Sequence, residues 1–264
     1  MKLFLLSVML MSSLVASSFD SRYDVNMGIF GKIGYIDFSI KEQGDNYEAV
    51  VKAYTTGTAA TLTGNRQESF VSKGKIKDGK YLPDTFVKTK KTDKKTRVQT
   101  YTFNHKNKKV TLLEEKTKLV RSTEFDPTSF KLKDVQKVKK STKTKTMDNY
   151  TNDVLTAYIN IRNSCKSESQ KCPLVAVGAK NDENNVSVEY LGGVEKLPLK
   201  ICFPSDTKEY YNLNVHPFDD EDEIVDILIA FDNDGHMKEA YLGDIFWVGE
   251  VRAKRLYRKV SSIR

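Results

Sequence analysis

Alternation of apolar and polar residues with a period of two runs through most of this chain, and it constrains the fold more than any other feature. In residues 36–40 and again in residues 47–53, every second side chain is apolar or aromatic. A period of two is that of a strand with one buried face. Segments of this kind recur with Gly-containing turns between them, which is typical of an antiparallel meander. The sequence therefore predicts a mainly β protein, with one domain over residues 18–264.

One segment, residues 148–163, departs from this alternation and predicts one long helix. Asp148, or Thr151 a turn later, can cap its start, and Arg162 suits its end electrostatically. The apolar residues of this segment recur at the spacing of a single helix face, namely at Val154, Leu155, Tyr158 and Ile161.

The first 17 residues predict a secretory signal peptide. Lys2 supplies a positive charge, an apolar stretch follows it, and small residues favour cleavage after Ser17. The alternative is an uncleaved anchor, but a spanning helix needs about 20 apolar residues and this stretch is shorter. The first cysteine is Cys165, so a lipid-modified N-terminal cysteine is excluded. We expect an exported, periplasmic protein that is not a lipoprotein.

Export to an oxidising compartment makes the three cysteines candidates for disulfide bonds. Cys165 and Cys172 flank a short polar loop, which a bridge can close, and we expect a gain of about 2–3 kcal/mol from it. Cys202 lies in an apolar, strand-like run. It is interpreted as a small buried apolar residue, with a reactive thiol as the alternative.

Basic residues exceed acidic ones, 43 Lys and Arg against 35 Asp and Glu, and many lysines are concentrated in two stretches. Residues 121–147, which contain one of them, are the best candidate for a flexible excursion. Lysines that alternate with Thr indicate a strand with a solvated face and block pairing between sheet edges. The alternative is attraction to an anionic membrane surface or polymer. The candidate residues of this basic surface are Lys90, Lys91, Lys94, Lys95, Lys139 and Lys140.

Several short motifs, taken in order along the chain, resemble those of the exported bacterial family 3108 of domains of unknown function. They are Arg22-Tyr23-Asp24-Val25, the glycine-punctuated run from Gly28 to Gly34, Thr55-Thr56-Gly57, the turn from Asp78 to Pro83, the helical run from Asp153 to Arg162, and the final run from Gly249 to Leu256. The resemblance implies a fold similar to the LolA/LolB lipoprotein carriers, with a curved antiparallel sheet, an incomplete barrel and a helix over its open side. The family has no established catalytic residues, so the resemblance assigns none here.

No motif for catalysis, metal binding or a cofactor is present. His105, His216 and His236 lack the spacing of metal ligands, and phosphate-binding and nucleophile motifs are absent. The acidic run 219–223 could attract Ca²⁺, but a solvated loop is the simpler interpretation. Nucleic acid is a poor partner, since no aromatic stacking motif accompanies the lysines. We expect a protein that is not an enzyme and holds no cofactor.

Two functions remain. The first is a binding or carrier protein that holds a lipid, acyl chain or other apolar ligand in the hollow of its sheet, under the helix. The second is a structural or interaction protein that docks an unidentified envelope partner through its basic face or sheet edges. A hydrolase or lyase is a third hypothesis, and it would need His and acidic side chains that lie close together in the fold. The candidate residues for the cavity or its lid are Phe38, Val51, Leu155, Tyr158 and Ile159.

Overall fold

The computed structural model describes residues 16–165, 171–179, 186–192, 203, 207–215, 225–245 and 249–263. Within them, one antiparallel sheet of fourteen strands dominates, and the strands at its two ends, Lys171–Leu174 and Lys131–Asp148, are not paired with each other. The sheet is thus unclosed and confirms the predicted fold class. Its strands are β1 Ala16–Met27, β2 Gly31–Gln43, β3 Asn46–Thr55, β4 Gln67–Lys77, β5 Lys80–Lys91, β6 Lys95–Asn104, β7 Lys109–Asp126, β8 Lys131–Asp148, β10 Lys171–Leu174, β12 Val186–Gly192, β13 Glu209–Val215, β14 Val225–Phe231, β15 Met237–Ile245 and β16 Gly249–Ile263.

The strand order is that of a meander in which the first strand, β1, pairs with both β2 and β16. The order is β10-β12-β13-β14-β15-β16-β1-β2-β3-β4-β5-β6-β7-β8, so β1 lies between β2 and β16. Two further short strands, β9 (Asn152–Asp153) and β11 (Ala176–Val177), form a separate parallel pair. This pair links the two residues just before the helical segment to residues 176–177, which follow that segment in the chain.

The prediction of one long helix over residues 148–163 is not confirmed. Strand β8 continues to Asp148, and two short helices follow, α2 at Val154–Ile159 and α3 at Ile161–Ser164. The helical segment begins six residues later than predicted, and its cap is Asp153 rather than Asp148 or Thr151. A third short helix, α1 (Gly57–Thr63), joins β3 to β4. None of the helices described has the length and apolar character needed to span a membrane.

The prediction of a flexible excursion over residues 121–147 is wrong. Strands β7 and β8 pair along their whole length, from Lys109 opposite Asp148 to Asp126 opposite Lys131. Each strand satisfies the backbone hydrogen bonds of the other, so a regular hairpin forms although few of its side chains are buried. In β8 only Met147 is buried.

The apolar core lies on the inner face of the sheet, defined here as the face that carries Phe38 and Phe86. Residues directly opposite each other in an antiparallel pair share a face, and Phe38 is opposite Val51 just as Phe86 is opposite Tyr101. Helix α2 packs on this face through Leu155. Pro83 lies where the β4–β5 register shifts, as expected for a proline in a bulged strand.

Several predictions lie outside the described residues. These are most of the signal peptide (1–15), Cys202, His216 and the acidic run 219–223. Ala16 and Ser17, the end of the predicted signal, form the first pairs of β1 with β2.

Candidate ligand-binding site

The five residues predicted to line the cavity or its lid belong to one cluster. Phe38 and Leu155 are buried members of the inner-face core, and Val51, Tyr158 and Ile159 are partly buried against it. The ring centre of Tyr158 lies 5.9 Å from that of Phe38 and 6.0 Å from that of Phe231. Burial raises the pKa of the Tyr158 hydroxyl well above its usual range. Helix α2 therefore fills the hollow above strands β2 and β3 and forms part of the core.

A buried carboxylate fixes the start of α2. The Asp153 Oδ1 atom accepts hydrogen bonds from the backbone N–H groups of Leu155 (2.7 Å) and Thr156 (3.0 Å). In return, the Thr156 Oγ1 atom accepts the backbone N–H of Asp153 at 3.0 Å. This reciprocal arrangement is a capping box with Thr in the place usually taken by Glu or Gln.

The same carboxylate ties the helix to the sheet. The Ser72 hydroxyl on β4 donates to Asp153 Oδ2 at 2.6 Å, and the Tyr47 hydroxyl on β3 lies 2.9 Å from Ser72 Oγ. Because the Ser72 hydrogen points to the carboxylate, Tyr47 is the donor in the second bond. Burial raises the pKa of Asp153 to about 6, and the hydrogen bonds it accepts only partly offset that effect.

This raised pKa predicts a stability change with pH. The unfolded carboxyl has a pKa of 3.8, so between about pH 4 and 6 the folded state binds the proton more tightly than the unfolded state. The free energy of unfolding from this group therefore falls as pH rises through that window, by on the order of 3 kcal/mol. Urea denaturation of wild type and Asp153→Asn at pH 4, 5, 6 and 7 measures it, since the difference between them isolates this group. A constant difference across the series would contradict the prediction.

Asn160 separates the two helices and holds them against β5. Its Oδ1 accepts the backbone N–H of Tyr81 at 3.0 Å, and its Nδ2 donates to the backbone carbonyl of Tyr81 at 2.9 Å. The side-chain amide thus pairs with the start of β5 as a neighbouring strand would. These bonds place the break between α2 and α3.

An apolar cleft of about 140 Å³ opens beside α2 and α3. Leu213 on β13 lies across it, and Tyr158 is the one predicted cavity residue that lines it. All of its walls are apolar or aromatic side chains, so it has the character of a small apolar binding site. The remaining lining residues are Val154, Ala157, Ile161, Leu174, Ala176 and Ala179.

The predicted disulfide bond is present and links the end of α3 to β10. Cys165, just after α3, is bonded to Cys172 on β10, with 5.9 Å between their Cα atoms. Both cysteines are buried with Ile161 in a second apolar cluster. Arg162 on α3 is held by a two-bond ion pair with Glu209 on β13 at 2.6 and 2.7 Å. These links hold together α3, β10 and β13, three elements that each contribute a residue to the cleft.

A second apolar hollow of about 210 Å³ lies across the start of β2 and the end of β3. Ile36 and Ala53, which are opposite each other on the inner face, line it, and Arg66 and Glu68 form an ion pair in its wall. The sequence analysis did not single out these residues. This hollow is the alternative location for an apolar ligand.

The predicted basic residues do not form one surface. Lys90 is opposite Glu68 and Arg97, which places it on the inner face, whereas Lys91 is on the other face. Lys139 is opposite Lys118, and Lys118 is opposite Lys95, so these three align across β6, β7 and β8 on the inner face. Lys94 lies in the β5–β6 turn, and Lys140 is on the other face of β8.

The sequence analysis missed a polar cluster on the inner face around Glu114. Its carboxylate accepts from Arg97 at 2.5 Å and from Gln99 at 3.2 Å, and Lys116 lies 2.5 Å away. Burial opposes the charge of Glu114, but the bonds from Lys116 and Arg97 outweigh it and lower its pKa. In the alternating pattern of β6, Arg97 and Gln99 stand at positions that face inward. These two polar residues at inward positions were the signal from which the cluster could have been predicted.

Lys88 also lies on this face and contacts the segment beside the apolar cleft. Its Nζ donates to the carbonyl of Gly178 at 2.7 Å and lies 5.6 Å from the ring centre of Phe70. Burial lowers the pKa of Lys88. The residue joins the basic part of the inner face to the chain that forms one cleft wall.

The described histidines make separate structural contacts. His105 Nε2 lies 2.7 Å from the Pro83 carbonyl, and His236 stacks on Phe19 at 3.7 Å. Among the residues that the structure describes, no group of three or more His, Cys, Asp or Glu could hold a metal ion. The turn from Asp232 to Gly235 joins β14 to β15. There, the Asp232 carboxylate accepts from Arg255 and Arg258, each at 2.8 Å.

Two comparisons with known proteins relate to this fold. The sequence profile of the family described as "Protein of unknown function (DUF3108)" matches residues 22–124. This match confirms over those residues the resemblance predicted from the sequence; the likeness to the LolA/LolB carriers is not confirmed. A solved beta-barrel-like protein of domain of unknown function DUF1849 from Brucella abortus is 14% identical, with a TM-score of 0.40, covering 94% of this chain and 98% of that chain. No curated protein matches the chain.

Proposed function

We propose that this DUF3108-related chain is a non-enzymatic binding or carrier protein of the cell envelope, periplasmic after its signal peptide is cleaved. Its ligand is apolar, such as a lipid or acyl chain. The observation that carries the proposal is the cleft beside α2 and α3, whose lining is apolar and which lies next to the inner face of the sheet.

The size of the cleft indicates how much of a ligand it takes. Its volume of about 140 Å³ is close to that of engineered apolar cavities of about 150 Å³ that bind benzene. A ring or the end of an acyl chain fits this space, and the rest of a longer ligand would stay outside. Each methylene group buried there would contribute about 0.8 kcal/mol to binding.

The attachment of the helices suits a binding site with one firm and one adjustable wall. On the firm side, the Cys165–Cys172 bond and the Arg162–Glu209 pair hold α3 to β10 and β13. On the other side, Ala179 is only partly buried and follows the short strand β11. Ligand entry past Ala179 would leave the core contacts of α2 intact.

We expect Ala179→Phe to abolish binding of an apolar probe, because the added ring occupies the cleft. The probe is a fluorescent fatty acid titrated into the purified full chain, and native mass spectrometry of the same preparations detects co-purifying lipid. Ala53→Phe tests the competing hollow in the same way. Ala59→Phe on α1 is the matched control and should bind like wild type.

Each result has a distinct meaning. Loss of binding with Ala179→Phe alone supports the cleft as the site. Loss with Ala53→Phe alone moves the site to the hollow at β2 and β3 and overturns the cleft assignment. Wild type that binds no probe and carries no lipid would overturn the proposed function itself.

A further inference from the structure

The outer end of the β7–β8 hairpin carries an exposed apolar cluster, called here the hairpin tip and composed of Phe125, Phe130 and Leu132. The exposed fractions of these residues are 57%, 81% and 71%. Isolated apolar residues on a surface are ordinary, but a contiguous cluster marks an interaction site. The tip is therefore a candidate contact surface.

The geometry of the hairpin holds the tip residues together. Phe125 on β7 is directly opposite Leu132 on β8, so their side chains share one face. The Phe130 ring, in the connecting turn, lies edge-on to that of Phe125 with 5.9 Å between centres. Further along the same face, Leu119 and Val138 form another exposed opposite pair, 40% and 57% exposed. Two polar pairs, Thr123 with Asp134 and Arg121 with Gln136, separate this second apolar pair from the tip.

The hairpin that carries the tip is basic. Arg121 and Lys140 lie on the same face as Phe125 and Leu132, and the other five basic residues of 118–140 lie on the opposite face. Residues 118–140 contain seven basic residues and three acidic ones, which gives a net charge of +4. Lys133 and Lys137 form ion pairs with Asp126 and Glu124. No acidic partner is found, within the part of the chain that the structure describes, for the other basic residues of this range, which are Lys118, Arg121, Lys131, Lys139 and Lys140.

We propose that the β7–β8 hairpin docks the protein on an anionic lipid bilayer, with Phe125, Phe130 and Leu132 inserted at the boundary between headgroups and acyl chains. An apolar tip on a basic hairpin suits such an interface, because insertion buries the apolar side chains and the lipid phosphates attract the basic ones. The inference rests on the hairpin alone and does not depend on the ligand proposed for the cleft.

Charge complementarity favours lipid over a second copy of this chain as the occupant. Two tips packed together would bring two segments of net charge +4 into contact, and like charges repel. Lysines along the edge strand β8 also oppose strand-to-strand pairing between copies. An anionic bilayer supplies the opposite charge and an apolar interior at once.

Co-sedimentation of the full chain with vesicles tests the proposal. One set contains phosphatidylcholine alone, and the other contains phosphatidylcholine and phosphatidylglycerol in equal amounts. We expect binding to the anionic vesicles only, weakened by added salt. Phe125→Ser/Phe130→Ser should weaken it by at least about tenfold, since two rings lose their burial. Arg121→Glu/Lys140→Glu, which reverses two charges on the face that carries the tip, should weaken it as well.

Matched controls separate the tip from exposed apolar residues in general. Phe30 is 57% exposed, like Phe125, and Leu62 is 81% exposed, like Phe130. The variant Phe30→Ser/Leu62→Ser should bind vesicles as wild type does. Circular dichroism melting curves of all variants should match that of wild type, because the changed side chains are exposed.

Four outcomes would overturn the proposal. These are no binding of wild type to either vesicle, equal binding to both, undiminished binding of Phe125→Ser/Phe130→Ser, or equal weakening by the Phe30→Ser/Leu62→Ser control. Analytical ultracentrifugation measures whether the protein instead forms dimers through the tip. If wild type forms dimers that Phe125→Ser/Phe130→Ser abolishes and no lipid binding is found, the tip is a contact between copies of the chain.

Discussion

Replacement of Phe86 by alanine is expected to lower the free energy of unfolding by about 3–5 kcal/mol, the usual cost of deleting a fully buried ring. Phe86 is completely buried on β5. Its ring centre lies 5.6 Å from that of Tyr101 and 6.3 Å from that of Phe70. It therefore joins three neighbouring strands, β4, β5 and β6, on the inner face.

The surroundings of Phe86 leave little room for the cavity to collapse. Gly178 lies so close that a Cβ atom on it would be 2.3 Å from the Phe86 ring. Gly178 also has a φ of +89°, a conformation that favours glycine, and its carbonyl accepts the hydrogen bond from Lys88. Because this segment is held in place, removal of the ring should leave a void rather than a repacked core.

Chemical denaturation followed by circular dichroism measures the effect. Phe86→Leu keeps most of the apolar volume and should cost about 1.5 kcal/mol. Phe30→Ala, at an exposed phenylalanine, should change the stability by no more than about 0.5 kcal/mol. Equal effects of Phe86→Ala and Phe30→Ala would show that the inner face is not the core of the fold.

The second large effect is expected from Asp153→Ala, which should lower the free energy of unfolding at pH 7 by about 3 kcal/mol. Loss of an N-cap costs about 1 kcal/mol. In addition, the Ser72 hydroxyl loses the acceptor 2.6 Å away, and a buried donor left unsatisfied costs about 1–3 kcal/mol. Since the same side chain caps α2 and ties it to β4, both losses occur together.

Asp153→Asn is the matched variant for this position. Asparagine caps helices about as well as aspartate, and the Ser72 hydroxyl can turn to accept from its amide. We therefore expect no loss of stability at pH 7 in the same denaturation assay, because the neutral amide also avoids the burial cost that raises the pKa of the Asp153 carboxyl. If alanine and asparagine are equally well tolerated, the hydrogen bonds of Asp153 do not anchor the helix.

The strands and the disulfide bond could be predicted because their signals are local. A period of two needs only neighbouring residues, and the short loop between Cys165 and Cys172 limits the distance that a bridge must span. The helix length could not be predicted in this way. Its break at Asn160 is set by bonds to the backbone of Tyr81, which is 79 residues away in the chain.

The hairpin could be predicted only in part. The alternation of lysine and threonine indicates a strand with a solvated face, but the outer part of the hairpin has few buried side chains, so the sequence does not show that residues 121–147 are ordered throughout. What orders it is the backbone pairing between β7 and β8, which composition does not record. The position of Glu114 on the inner face, beside Arg97 and Lys116, likewise depends on which strands are neighbours.

The placement of β1 between β2 and β16 has a consequence for how the fold is reached. On one side of β1, Phe19 is opposite Ile40 of the next strand along the chain, and on the other side it is opposite Val260, which is far away in the sequence. One side of β1 can find its partner early, through a local hairpin, whereas the other side stays open until the last strand arrives. Such distant pairing slows folding and leaves an exposed strand edge in the meantime, the kind of transient surface that chaperones protect.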